Sequence, residues 1–214
     1  ETWEFHSDYN STFIYDPLSK KVIKRTVPVN VCYRSTNANK IFIGSTLKLK
    51  DDVISEASLD LIPNHDRRIG VLYSTLVTQY ALDSAGYNYW NAMKGNTENV
   101  GSIFDPQPNQ TIGNVHCVSD SLERVIGYIG AGTISQSRLF ISNGEMPWEW
   151  NQPNNCSEYY VPRDSVEFYF SNNSLIPYES DPRVGPMPKG YFSASGTCVD
   201  CTITGSLDKP IFWP

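Results

Sequence analysis

Apolar and polar residues alternate with a period of two along much of the chain, which is the pattern of β-strands with one buried face. These segments are rich in Val, Ile, Tyr, Phe and Thr, and polar turn residues separate them. The alternation of Trp3 and Phe5 also places the first residues within a strand. The pattern predicts a mainly β fold with antiparallel sheets, arranged like a sandwich or an open barrel. The other predicted strands are 29–34, 41–49, 54–62, 71–81, 112–118, 125–134, 138–142 and 166–170.

One segment, from about residue 83 to 100, has a helical period instead. Asp83 can cap its N-terminus, and Gly101 can adopt the left-handed conformation that ends a helix. We predict that this is the principal helix and that its apolar stripe packs on a sheet. The stripe consists of Tyr87, Trp90, Met93 and Val100.

After residue 142 prolines become frequent among Asn, Ser and Gly, so regular structure there must be short. We predict one β-rich domain over residues 1–214, with 143–214 as a loop-rich subregion packed on it. Because the chain starts within a strand, we expect it to be the C-terminal part of a longer protein, with any targeting signal upstream. The turn at 63–66 predicts a hairpin between the strands that flank it.

Composition narrows the class of protein. With 40% hydrophobic and 19% charged residues, the chain has the composition of a globular domain, and no apolar run reaches the length of a membrane span. A net charge of -6 argues against nucleic-acid binding. The basic run Lys20, Lys21, Lys24 and Arg25 fits a solvated strand edge better than a phosphate site.

The five cysteines leave at least one without an internal partner. Cys198 and Cys201 have CxxC spacing, but a closed zinc site needs four ligands and a redox motif needs a helix N-terminus that this pattern does not offer. We therefore predict no metal site, and expect Cys156, in a polar loop, to form a disulfide with Cys198 or Cys201. A plain buried thiol is the alternative for the CxxC pair.

Known catalytic motifs are not found in the sequence. The histidines His6, His65 and His116 lack metal-ligand spacing, and there is no nucleophile elbow or phosphate loop. The glycines of 127–132 lie within a strand pattern rather than between a strand and a helix, so they do not indicate a dinucleotide site. We expect no catalytic residues and no cofactor, and predict that the protein is not an enzyme.

The most suggestive binding feature is the proline-flanked segment Trp148, Glu149, Trp150 and Asn151. Exposed tryptophans beside a carboxylate and an amide suit a sugar or a partner protein. The alternative is that one or both tryptophans fill the end of the β core. The same two roles are open for Phe212 and Trp213, and for Trp213 we expect packing on the sheet.

Four long segments of this sequence, taken together, resemble the sequences of a known protein family. They are ETWEFHS, YNYWNAMKGNTENVGSIFDPQPNQTIGNVHC, VIGYIGAGTISQSRLFI and CVDCTITGSLDKPIFWP, in this order. The chain resembles domain-of-unknown-function family 4249, outer-membrane lipoproteins of Bacteroidota encoded beside TonB-dependent receptors. The matching residues include Trp90, Asn96, Gly101, Phe104, Asp105, Pro106, Gln107, Gly113, Asn114, Cys117 and Gly127.

The resemblance implies an outer-membrane, surface-exposed protein held by a lipid anchor outside this segment. It implies a TonB-dependent receptor as protein partner and a role in ligand capture or retention for nutrient uptake. It implies no catalytic residue. A structural or adhesive surface protein without a transport role is the first alternative. A glycan-acting hydrolase is the second, since carboxylate pairs such as Asp51 and Asp52 could serve acid–base chemistry if two of them converged in a cleft.

Overall fold

The computed structural model describes residues 1–98, 113–120, 122–150, 155–181 and 187–214. Its sheets are antiparallel wherever a register is defined, its helices are mostly short, and the described strands form no closed barrel, so the predicted mainly β class is confirmed. The strands are β1 (Thr2–His6), β2 (Phe13–Asp16), β3 (Lys21–Lys24), β4 (Val31–Ser35), β5 (Leu72–Tyr80), β6 (Ile134–Ser142), β7 (Tyr159–Pro162), β8 (Leu175–Ser180) and β9 (Gly190–Ser195). The helices are α1 (Ser84–Glu98), α2 (Val166–Phe170) and α3 (Gly196–Val199).

A four-stranded sheet in the order β4-β1-β5-β6 carries the first core. The alternation in β1 sends Trp3 and Phe5 to one face, where they are buried with Tyr73 of β5. Glu4 belongs to the opposite face, as does its cross-strand partner Tyr33. Both faces of this sheet therefore carry side chains that need cover.

Two smaller sheets complete the β structure. Strands β2 and β3 form a hairpin, and β9 lies between β7 and β8. The hairpin places Phe13 and Tyr15 against a core centred on Phe170, while Tyr178 and Val199 belong to a separate cluster. The C-terminal third thus contributes a sheet as well as loops.

The chain divides into two compact units. Unit 1 comprises residues 1–36, 62–75 and 139–214, and unit 2 comprises 37–61 and 76–138. The divisions within β5 and β6 fall inside continuous strands. All buried clusters named above belong to unit 1.

The predicted strand at 166–170 is wrong, because these residues form α2. Within it Phe170 is fully buried and Val166 partly so, whereas the three residues between them are exposed. Burial at positions i and i+4 is the period of a helix rather than of a strand. A run of valine and aromatic residues fits either structure, and packing decides between them.

The predicted strands at 41–49 and 54–62 are also wrong, since these segments have no regular structure, and of the predicted strand at 125–134 only Ile134 is in a strand, as the first residue of β6. Their apolar side chains find little cover: Leu47 is 82% exposed, Leu61 84% and Ile126 83%. The predicted hairpin at 62–69 is replaced by a 3₁₀ turn at Arg67–Ile69. Residues 113–118 are not a strand, and Ile112 lies outside the described residues.

The predicted helix is confirmed as α1, and Asp83 caps it by accepting a hydrogen bond from the Gly86 N–H at 2.7 Å. Of the predicted stripe, Tyr87 and Met93 are partly buried, whereas Trp90 is exposed. Gly86 is the buried position, Tyr89 stacks on Tyr128 with ring centroids 5.1 Å apart, and Trp90 is 41% exposed. Val100 and Gly101 lie outside the described residues.

Hydrogen bonds, rather than strand pairing among the described residues, join the segments 113–120 and 122–129. The Asn114 side chain accepts a hydrogen bond from the Ile129 N–H at 2.8 Å and donates one to the Ile129 carbonyl at 2.6 Å. A Cβ on Gly113 would lie 1.5 Å from the Gly127 carbonyl oxygen, so only glycine fits. Gly127 itself has a φ of 152°, which favours glycine again.

Candidate partner-binding surface

The segment with two tryptophans is built as an extension of β6. Ser142 and Glu145 form a capping box around the 3₁₀ turn Asn143–Glu145, in which the Glu145 carboxylate accepts a hydrogen bond from the Ser142 N–H at 2.7 Å. A second 3₁₀ turn, Trp148–Trp150, follows after Met146 and Pro147, and its Trp150 N–H donates to the Pro147 carbonyl at 2.8 Å. Local hydrogen bonds therefore define the path of the chain up to Trp150.

The two tryptophans have different surroundings. Trp150 is partly buried and packs against the cluster that contains Trp3 and Phe5. Trp148 is 79% exposed, and Glu149 is exposed beside it. Asn151 lies outside the described residues. Trp150 thus has the core-filling role, and Trp148 is the exposed tryptophan of the segment.

Trp213 packs back on the four-stranded sheet, as expected. It is 6% exposed, and its ring makes edge contacts with Tyr33 at 5.6 Å and Phe140 at 5.8 Å between centroids. Phe212 remains 42% exposed and Ile211 is fully exposed. Of this pair of aromatic residues, only Phe212 offers surface to a partner.

Four of the five cysteines form two disulfides. Cys156 is bonded to Cys198, one of the two partners that the sequence left open, with Cα atoms 5.9 Å apart. Cys201 is bonded to Cys32, a pairing for which the sequence held no signal, at 5.7 Å. Cys117 is the free cysteine. The CxxC residues therefore point to different partners and do not share a site.

A carboxylate lies beside the Cys156–Cys198 disulfide. Asp8 Oδ2 is 2.8 Å from Cys156 Sγ, and with Cys198 Sγ these ligand atoms lie within 4.8 Å of one another. Metal binding by cysteine requires the thiolate, and both sulfurs are committed to the disulfide. The cluster is therefore a crosslink with an acidic neighbour.

Next to this disulfide two tyrosines stack, Tyr9 and Tyr178, with ring centroids 4.4 Å apart. The Tyr9 hydroxyl donates to the Cys156 carbonyl at 3.3 Å, and the Tyr178 hydroxyl donates to the Glu158 carboxylate. Burial, together with this hydrogen bond, raises the pKa of Tyr178 well above its ordinary value. The two tyrosines are therefore hydrogen-bonded members of the cluster that contains Cys198.

Among the described residues, the carboxyl groups with a resolved pKa shift all have structural roles. Hydrogen bonds from Ser19 and Leu18 lower the pKa of Asp16 in the hairpin turn. Burial pulls the pKa of Asp66 upward, but its hydrogen bonds with Arg68 outweigh that effect and lower it. These shifts do not mark the raised carboxyl pKa that a general acid needs.

Two arginines, which sequence reasoning missed, lie over the aromatic residues of β1. The Cζ atom of Arg34 is 5.8 Å from the centroid of the Trp3 ring, and that of Arg67 is 4.2 Å from the Phe5 ring. Arg34 reaches Trp3 because the two residues are cross-strand partners. The register of β1 with β4 forms only in the folded protein, so the sequence does not reveal this contact. The one feature in the sequence that could have indicated it is an arginine in the same predicted strand as Cys32.

A comparison with protein families gives one match. The model of the family described as Domain of unknown function (DUF4249) matches residues 3–138. The chain belongs to this family. No curated protein and no solved structure matches it. The DUF4249 match includes β1 to β5 and α1, whereas the Trp148 turn, α3 and three of the four bonded cysteines follow it in the chain.

Proposed function

We propose that this protein is a non-enzymatic, surface-exposed outer-membrane lipoprotein that acts as an accessory subunit of a TonB-dependent receptor in ligand capture or retention. The contact with the receptor is made through the turn that carries Trp148. The identity of the receptor as partner comes from the resemblance of the sequence strings, and membership in the DUF4249 family is consistent with it.

The observation that carries the contact is the contrast between Trp148 and Trp150. A large aromatic side chain that is 79% exposed offers apolar area with few rotatable bonds, which limits the entropy lost on binding. Trp150 holds the turn against the core, so Trp148 is presented from a fixed base. Aromatic residues on supported loops are common centres of protein interfaces.

The surface around Trp148 suits a protein partner rather than an enclosed ligand. Glu149 is exposed next to it and can supply a polar contact at the rim of an interface. No helix among the described residues is long and apolar enough to cross a membrane. Attachment to the membrane through a lipid group outside this segment is part of the proposal.

The test is a pull-down of the tagged protein from detergent-solubilised membranes, with identification of the proteins that accompany it. We expect a TonB-dependent receptor to co-purify with the wild type and to be lost with Trp148→Ala. Because Trp148 is exposed, this change should leave the Tm within about 2 °C of the wild type, the scale of a surface substitution.

Phe168→Ala is the matched control, since Phe168 of α2 is exposed to the same degree, 78%. It should retain the receptor. If Trp148→Ala retains the receptor as well as the wild type does, the assignment of the contact to the Trp148 turn is wrong. If the wild type brings down no receptor, the accessory role is wrong, and a structural or adhesive role takes its place.

A further inference from the structure

Arg34 and Arg67 form a layer of two guanidinium groups over the buried rings of Trp3 and Phe5. The two rings belong to residues two apart on β1, and such residues point to the same face at a spacing of roughly 7 Å. Each ring contacts one guanidinium, and the two contacts lie on neighbouring rings of the same face. Two cations are thereby held side by side on one face of the sheet.

Two other arginines of unit 1, Arg25 and Arg68, form ion pairs with carboxylates. Arg68 pairs with Glu1 and Asp66 at 3.0 Å, and Arg25 pairs with Asp200 at 3.5 Å. Within the described part of the chain, neither Arg34 nor Arg67 is part of an ion pair. Arg67 donates one hydrogen bond to Thr204 Oγ1, at 3.4 Å, and the other N–H groups of both guanidiniums have no acceptor among the described residues.

The pair is close enough for mutual repulsion. Burial is the main cause that lowers the pKa of Arg67; the carboxylate of Asp8 opposes it, and the guanidinium of Arg34 adds to it. Asp8 is the negatively charged group that acts on Arg67 here. Its single negative charge offsets only one of the two guanidinium charges, so the site keeps a net positive charge. Arg34 is exposed and Arg67 is half-buried, so a ligand can reach both from the solvent.

We propose that Arg34 and Arg67 form a binding site for a small oxyanion, a phosphate or a carboxylate group that bridges the two guanidiniums. A guanidinium offers parallel N–H donors that match two oxygens of such a group. The aromatic rings beneath fix the guanidinium planes, so little side-chain freedom is lost when the anion binds. The site is independent of Trp148 and of the proposed receptor.

The test is isothermal titration of the whole protein at low ionic strength, with inorganic phosphate in one arm and citrate in the other. We expect saturable binding at one site in at least one arm, and the arm that responds identifies the class of anion. Arg34→Gln should weaken binding about tenfold, the effect of losing one charge-assisted contact. Arg34 carries the test because it is exposed, whereas Arg67 also covers the Phe5 ring.

Two further variants make the result specific. Asp8→Asn should strengthen binding several-fold, because it removes a nearby negative charge that offsets the charge of Arg67. Arg163→Gln, at an exposed position on the three-stranded sheet side of unit 1, should leave binding unchanged. The proposal is overturned if neither anion shows saturable binding, if Arg34→Gln binds as the wild type does, or if Arg163→Gln weakens binding as much as Arg34→Gln.

Discussion

The indole Nε1 of Trp213 donates a hydrogen bond to Oε2 of Glu4 at 2.8 Å, across a sequence separation of 209 residues. Glu4 lies on the face of β1 opposite Trp3 and Phe5, so this bond covers the side of the sheet that the first core leaves open. The ring of Trp213 fills the same space against Tyr33. One side chain thus closes the second face of the sheet by packing and by a hydrogen bond.

Trp213→Ala is expected to lower the free energy of unfolding by about 3–5 kcal/mol, the usual cost of truncating a buried tryptophan. Trp213→Phe keeps most of the packing and leaves Oε2 of Glu4 without this donor, while Oε1 keeps its contact with His6 Nε2 at 3.0 Å, so we expect a smaller loss of about 1.5–3 kcal/mol. Urea denaturation of the three proteins measures both values. Phe212→Ala, at a partly exposed neighbour, should have little effect, and an equal loss there would contradict the assignment.

The two disulfides are expected to contribute unequally to stability. The Cys32–Cys201 bridge spans 169 residues and the Cys156–Cys198 bridge spans 42. In the chain-entropy description, the longer loop corresponds to about 5 kcal/mol and the shorter to about 4 kcal/mol. Denaturation of the paired variants Cys32→Ala/Cys201→Ala and Cys156→Ala/Cys198→Ala tests the order. A larger loss from the second variant would show that local packing, rather than loop length, sets the contribution.

Stability should fall at alkaline pH through the buried tyrosines. Burial is the main cause that raises the pKa of Tyr73 from 10.0 to about 12, and the charge of Glu1 adds to it. The unfolded chain therefore releases this proton at lower pH than the folded chain does. The stabilisation is complete below pH 10 and is lost as the pH rises towards about 12.

Tyr73→Phe should make the decline in unfolding free energy over that window less steep, by up to about 1.4 kcal/mol per pH unit. Denaturation curves at a series of alkaline pH values measure the slope. Tyr159→Phe, at a half-exposed position, is the matched control and should keep the wild-type slope. An unchanged slope in Tyr73→Phe would contradict the assignment.

The N-terminus of α1 should be sensitive to acid. The hydrogen bond from the Gly86 N–H, followed by that from the Tyr128 hydroxyl, lowers the pKa of Asp83 from 3.8. The contribution of this cap is present above pH 3.8 and is lost as the pH falls through the lowered value. Asp83→Asn keeps an acceptor that does not titrate, so its helical circular dichroism should decline less than that of the wild type below pH 3.8. Equal declines would mean that other groups control the acid response.

The elements that could be predicted from sequence are those in which burial follows the local period. In β1 the buried aromatic residues Trp3 and Phe5 alternate with Glu4, and β5 lies within the predicted strand at 71–81. The helix α2 was mistaken for a strand because Val166 and Phe170 define a helical period only after their burial is known. The segments 41–49 and 54–62 have alternating residues but no partner strand within the described chain, and alternation alone cannot supply one.

The candidate sites show the same limit. The composition around Trp148 marked a binding segment, but only packing could separate the exposed Trp148 from the core-facing Trp150. Arg34 and Arg67 meet because β1 pairs with β4 and because the 3₁₀ turn at Arg67–Ile69 packs near Phe5. Contacts between residues this far apart in sequence depend on the register of the whole sheet.

Because of the two disulfides, the protein stays one covalent molecule even when the backbone is cut at most positions. A single cut anywhere between residues 33 and 155 leaves Cys32 in one piece and Cys201 in the other, still bonded. A cut between 157 and 197 is spanned by both bridges. Unit 2 lies wholly within the first of these intervals, so a protease that nicks it leaves one covalent molecule. The cleaved chain would migrate as two fragments only after reduction, and its unit 1 would retain every disulfide.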